Sequence, residues 1–164
     1  MRVLKRRREE GKTDYLKRLK LLKSGVPRIV FRKTNRYVIG QYIISKETKD
    51  FAEIGVSSKQ FLKKGWPKEF AGSLKSTPAS YLVGFDLGRK IVKGGKKTPI
   101  VDFGMIRNIH KAKSFAFLKG LVDAGVKIKC DKETFPEDER IKGKHLKNDF
   151  SKFFEKIKST MEKE

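Results

Sequence analysis

Two sets of residues in this sequence could do chemistry. The larger set is cationic. "KRRR" at 5–8, followed by Lys12, opens the chain. Arg28, Arg32, Lys33 and Arg36 then recur around "RIVFRKTNRY" (28–37), with Asn35 and Tyr37 among them. Arginine forks bind phosphate oxygens bidentately, and lysines bind them as point charges. Cations mixed with an aromatic ring and an amide fit phosphate contact plus stacking on unpaired bases. The plainer readings are a solvated tail for the first group and a charge-protected sheet edge for the second. The smaller set is acidic. Asp86 and Asp102 are candidates for a carboxylate pair holding a divalent metal, as in a nuclease. No third ligand follows from their spacing.

Other residues of chemical interest have plainer explanations. "DFG" at 102–104 has the form of the kinase metal-binding triplet, but no Gly-rich loop, strand lysine or HRD precedes it. A turn glycine closing a strand accounts for it. His110 and His145 lie in polar, basic surroundings with no suggestive Ser or Cys motif, so both are expected at the surface or facing RNA. Cys130 stands alone, which excludes a disulfide framework or a Cys-based zinc site and fits a reduced cytoplasmic setting. No cofactor and no metal are expected.

Charge sets the class of partner. Forty-one basic against nineteen acidic residues give +22. Such an excess disfavours the compact state unless a polyanion neutralises it. Nucleic acid is the usual polyanion, and an anionic membrane surface is the second candidate. Residues 1–36 carry a net +11, whereas residues 131–140 hold five acids and two bases. No apolar run approaches a membrane span, and the N-terminus lacks a signal-peptide core.

The elements that must position these residues can be read from periodicity and punctuation. Residues 13–24 read as a helix with Thr13 as N-cap, Gly25 as the C′ residue and Pro27 as a stop. On that helix Tyr15, Leu19 and Leu22 share one stripe, with Leu16 at its edge, and Lys17, Arg18 and Lys20 face elsewhere. Strands follow at 28–33, 36–46 and 51–57. Turns at Thr34-Asn35 and Lys49-Asp50 make them an antiparallel meander. A short helix is expected around 58–64, with Trp66 beyond it as a packing anchor. Thr77-Pro78 then opens a helix running to about Val92. Gly84 and Gly88 would let that helix lie close against the sheet. Residues 99–104 read as a strand, Ser114 caps a helix ending near Gly125, and "VKIKC" (126–130) reads as a short extra strand. A last helix is expected over 143–162, with Leu146, Phe150, Phe153, Ile157 and Met161 on its apolar face. The fold class is therefore α/β, a mixed sheet starting with a three-strand antiparallel meander, with helices packed on it. Three parts are expected: a basic extended arm (1–12), an α/β RNA-binding domain (13–130), and an acidic loop with a C-terminal helical extension (131–164). The arm should be mobile in the free protein and fixed on RNA.

These residues also resemble a known family. "RRREEGKTDYLKRLKLLKSGVPRIVFRKTNRYVIGQ" (6–41) is similar to the N-terminal block of the universal large-subunit ribosomal protein family that binds 5S rRNA. "STPASYLVGFDLGRK" (76–90), "DFGMIRNIHKAKSFAFLKGLVDAGV" (102–126) and "PEDERIKGKHL" (136–146) resemble later segments of its archaeal and eukaryotic form. The stretch "GWPKEFAGSLKS" (65–76) is longer and more basic than the family's usual loop there. The resemblance implies helices on both faces of the sheet in a ribonuclease H-like arrangement, without catalysis. It implies a cytoplasmic structural protein that clamps 5S rRNA and docks it against 23S-type rRNA in the central protuberance, beside neighbouring ribosomal proteins. It implies RNA contacts by Arg6, Arg7, Arg8, Lys12, Tyr15, Arg18, Arg28, Arg32, Lys33, Asn35 and Arg36. Lys23 and Tyr37, in the same basic block, complete the expected set. The competing reading is a metal-dependent ribonuclease built on Asp86 and Asp102.

Overall fold

The computed structural model describes residues 5–47, 49–146 and 149–163. The meander forms as β1 (Arg28–Lys33), β2 (Val38–Lys46) and β3 (Lys49–Ser57). A fourth strand, β4 (Ile100–Asp102), joins β1 in parallel, giving the order β3-β2-β1-β4. Alternation along β1 gives the sheet two distinct faces, as period-two patterning requires. Ile29 and Phe31 point to one face and meet the helices. Arg28 and Val30 point to the other and are also buried.

The first face carries α3 (Thr77–Lys93) and α4 (Lys113–Asp123). Phe31 meets Phe117 of α4 at 4.9 Å between ring centroids. Gly40, opposite Phe31 across the ladder, leaves room for that ring: a Cβ there would sit 2.8 Å from Phe117 Cε2. Thirteen of the seventeen residues of α3 are buried, because α4, the sheet and the C-terminal extension enclose it. The extension consists of α5 (Asp138–Lys142) and α6 (Ser151–Lys163). Phe150, Phe154, Ile157 and Met161 join the same core cluster as the sheet residues. Trp66 stacks between Phe61 and Phe150, with its indole N–H donating to the Phe70 carbonyl at 2.9 Å, the anchor expected of it. The other face of the sheet is covered by α2 (Tyr15–Lys23), preceded by a single turn, α1 (Arg6–Glu9).

Several boundaries depart from the sequence expectation for identifiable reasons. Asp14, not Thr13, caps α2, its carboxylate accepting from the N–H groups of Leu16 and Lys17. A carboxylate at this position also favours the positive end of the helix dipole. Thr13 instead accepts from Arg7 Nε at 2.9 Å. The arm is not extended throughout, since residues 6–9 close a helical turn. The second hairpin turns at Glu47, with φ +48°, so Lys49 and Asp50 already lie in β3. Ser76 caps α3 by accepting from Ala79 N–H, one residue earlier than expected. Ser114 is not a cap but the second residue of α4. No strand forms at 126–130, where no neighbouring strand pairs with it. The last helix is interrupted: Gly143 adopts φ +81° and closes α5, and Asp149 starts α6 by accepting from Ser151. Phe154 then takes the core position expected of Phe153, which is exposed. Gly84 serves α4 rather than the sheet. A Cβ on Gly84 would overlap the Phe117 carbonyl oxygen, and one on Gly120 the Tyr81 carbonyl oxygen. The two glycines let the helix backbones touch.

Candidate nucleic-acid interface

α2 lies on the outer face of the sheet with only part of its leucine content turned inward: Leu21 and Leu22 are half-buried, and Leu21 lines the space between helix and sheet. No residue of α2 is fully buried, and Leu16 and Leu19 are 70% and 51% exposed. The side turned to the sheet is the one bearing Lys17 and Arg18, contrary to the expectation that these bases face away. Arg18 Nη2 lies 2.9 Å from Asp50 Oδ2 of β3. Lys17 Nζ lies 3.4 Å from Asp102 Oδ1 of β4 and donates to the Gly104 carbonyl at 3.3 Å. Between these two aspartates sits Arg28 of β1. Its guanidinium, with a side chain 4% exposed, donates to Asp50 Oδ1 at 2.8 Å and Ser45 Oγ at 3.1 Å, and Nη1 is 3.7 Å from Asp102 Oδ2. Three cations and two carboxylates thus join helix and sheet.

The electrostatics of this network are those of a satisfied cluster. Burial alone would raise the pKa of Asp50. The Ser45 hydroxyl, Arg18 and Arg28 outweigh it and hold the carboxyl below its ordinary value. Asp102 additionally accepts from Gly104 N–H at 2.9 Å, and Gly104 has φ +61°. That turn explains the "DFG" triplet. Asp86, the proposed second nuclease carboxylate, lies on α3, on the opposite side of the sheet, and binds Lys90 Nζ at 3.1 Å. The sheet separates the two aspartates, and each is already neutralised by lysine or arginine. Among the described residues no cluster of His, Cys, Asp and Glu has the makings of a metal site.

Between α2, β1 and the turn after β4 runs a groove of about 620 Å³. Arg7, Lys12, Arg18, Arg28, Arg32 and Lys33 line it, so six of the expected site residues converge. The others lie around its margin or turn away. Arg6 pairs with Glu10 at 3.7 Å, and Lys12 with the same carboxylate at 2.7 Å. The Tyr15 ring carries Lys5 Nζ at 4.7 Å. Arg8 and Lys23 are exposed, as are Asn35 and Arg36 at the hairpin tip. Tyr37 is half-buried and packs against the core, which leaves its ring less free to stack than expected. Arg8, Lys23, Arg32, Lys33 and Arg36 have no ion-pair partner among the described residues.

A second group of cations adjoins Lys33 and was not visible in the sequence. Burial lowers the pKa of Lys113 at the start of α4, and the charges of Lys33, Lys75 and Arg140 lower it further. These four residues come from β1, the 65–76 loop, α4 and α5, so no local spacing could have brought them together. They extend the basic face beyond the hairpin and include Lys75 of the 65–76 loop. Among the described residues, no helix is long and apolar enough to cross a membrane.

The similarity to known proteins is extensive. Residues 1–98 match the family described as ribosomal large subunit proteins 60S L5 and 50S L18. The large ribosomal subunit protein uL18 of Caldivirga maquilingensis is 42% identical over 142 residues, covering 86% of this chain and 67% of that one. Its counterparts in Korarchaeum cryptofilum and Methanoculleus marisnigri are 43% and 42% identical over 141 residues. Both alignments cover 86% of this chain, and 70% and 78% of the respective relatives.

Proposed function

The chain belongs to the 60S L5 and 50S L18 family of large-subunit ribosomal proteins, in its archaeal type, and from that premise we propose that its basic face binds 5S rRNA. As a member, it is a structural constituent of the large ribosomal subunit and not an enzyme, with rRNA and ribosomal proteins as its partners. The observation that carries the 5S proposal is the set of cations without ion-pair partners among the described residues: Arg32 and Lys33 line the folded groove, and Arg8 and Arg36 are exposed outside it. Folding brings these charges together and leaves them without carboxylate partners, which suits a phosphate backbone.

The expected site residues divide by role. Arg8, Lys12, Lys23, Arg32, Lys33 and Arg36 meet phosphates. Asn35, at the hairpin tip, reaches unpaired bases. Arg28 and Arg18 act through α2, holding it at the angle that makes one wall of the groove. Arg6, Arg7, Tyr15 and Tyr37 keep the arm and hairpin in place beside the RNA. The cations around Lys113 continue the contact towards large-subunit rRNA, which anchors 5S rRNA in the central protuberance. We read the meander with its parallel fourth strand as the ribonuclease H-like arrangement, used here as a scaffold. Residues 5–12 remain, in this reading, an arm that RNA engages, and the rest of the expected arm, 1–4, lies outside the described residues.

Competition binding tests the proposal. Labelled 5S rRNA should be displaced by unlabelled 5S rRNA at much lower concentration than by an unrelated RNA of equal length. Equal displacement by both would reject it.

A further inference from the structure

We propose that Met105 and Ile106, on the turn after β4, receive an unpaired base of the RNA whose phosphates the cationic groove holds. This rests on the 5S rRNA reading and adds to it a contact that cations alone do not supply. Met105 and Ile106 line the same groove as Arg7, Arg18, Arg32 and Lys33. They are 54% and 40% exposed, and Ile109, farther along the same loop, is 59% exposed. Three large apolar side chains within residues 105–109 therefore face solvent beside a cluster of cations. Apolar groups exposed together mark a binding surface, whereas single ones need no explanation. The loop that carries them is fixed at both ends. Gly104 N–H donates to Asp102 at 2.9 Å, Lys17 Nζ donates to the Gly104 carbonyl at 3.3 Å, and Ile106 N–H donates to the Phe103 carbonyl at 3.2 Å. At the far end Lys111 N–H donates to the Thr134 carbonyl at 2.9 Å. Beneath it Phe103 packs edge-on against Phe31 at 6.0 Å and tilts against Phe115 at 6.3 Å. A platform ordered in advance costs little further entropy when a ligand settles on it.

The occupant follows from what stands side by side. The cations attract an anion, and the thioether and the branched alkyl chain suit a flat apolar face. A nucleotide whose base is turned out of a helix offers both within one unit, a phosphate and a π-face. The aromatic rings that would ordinarily meet such a base are engaged elsewhere. Among the described residues, the rings lining the groove are Phe31, which is buried, and Phe103, which is half-buried. Tyr37 packs against the core, and the Tyr15 ring carries Lys5. Met105 can take their place, because a polarisable thioether contacts aromatic rings favourably and adapts its shape to them. An acidic peptide with apolar side chains would match the groove alone. The basic face, however, continues to Arg36 at the hairpin tip and on to Lys75 and Lys113, a span that suits a polyanion.

Met105→Ala/Ile106→Ala removes the platform and no charge. Its affinity for 5S rRNA should be measured across a salt series beside the wild type. The proposal expects an affinity about tenfold lower at every salt concentration, as for one lost base contact. The slope of log affinity against log salt should stay unchanged, because no phosphate contact is lost. Wild-type affinity, or a loss accompanied by a shallower slope, would overturn it. A cross-linker on Met105→Cys, in a Cys130→Ser background, reads the occupant directly and does not depend on the fold of the double alanine variant. In the complex with 5S rRNA, and again in intact large subunits, it should join an unpaired nucleotide through its base. Attachment to paired nucleotides alone, or to a neighbouring protein alone, would overturn the proposal. A wild type that binds unrelated RNA as tightly as 5S rRNA would instead defeat the 5S reading, and this inference with it.

Discussion

The two faces of the sheet hold their helices by different physics. On one, α3 and α4 meet through Phe31, Phe117, Leu87 and a pair of glycines that bring backbone against backbone. On the other, α2 is held by Lys17, Arg18 and Arg28 on Asp50 and Asp102, while Leu16 and Leu19 face solvent. Apolar packing is short-ranged and is not screened by salt, whereas partly exposed ion pairs are screened by salt and titrate with pH. The first attachment makes a rigid platform. The second makes a wall that ionic conditions, or a competing polyanion, can loosen. Under the proposed function, such a division would place adjustment at the cationic groove.

The largest effect should come from the rigid side. Gly120→Val places side-chain atoms where the Tyr81 carbonyl and Phe85 amide already lie. Overpacking there should cost on the order of 3 kcal/mol or more, read as a lower midpoint in urea denaturation. Next is Arg28→Met, which leaves Asp50 and Asp102 facing each other beneath α2. A loss of about 2 kcal/mol is expected, less than for a fully enclosed pair because Arg18 and Lys17 remain. Amide exchange should speed up in α2 and leave α3 protected. A uniform change in both helices would contradict the division.

Smaller effects sharpen the same contrast. The Asp50 carboxyl has a folded pKa below its ordinary 3.8, so its contribution is complete above that value. It is lost as pH falls through the lower, folded value, where protonation releases Arg18 and Arg28. α2 should therefore loosen in acid before the α3–α4 pair does, as measured by residue-level exchange from neutral pH downward. Leu19→Gln should change stability by no more than about 0.5 kcal/mol. A large loss would mean that Leu19 packs α2, contrary to its exposure.

Much of the platform was legible in the sequence. The strand at 28–33 was placed at its observed bounds, and the turn signals placed the rest of the meander within a few residues. The attachment of α2 was not legible. Its leucines dominate the local periodicity, but the residues that decide its orientation, Asp50 and Asp102, lie far along the chain. The role of Gly84 was misassigned for a similar reason, since only the docked α4 reveals which neighbour comes closest. The expected strand at 126–130 had the right pattern and lacked a partner, and pattern alone cannot supply one. At the candidate site, the hairpin cations were readable as a run. The cluster of Lys75, Lys113 and Arg140 with Lys33 was not, because four separate elements build it.

The central claim is that the cationic face binds 5S rRNA through phosphates held by the groove and hairpin. The salt dependence of affinity tests it most directly, comparing wild type with the Arg32→Ala/Lys33→Ala/Arg36→Ala variant. For each phosphate neutralised, the slope of log affinity against log salt steepens by about 0.7 to 0.9. The account predicts a steep wild-type slope, and a variant slope shallower by about 2, with α2 and the core unchanged by amide exchange. A flat wild-type slope, or an identical slope in the variant, would contradict it.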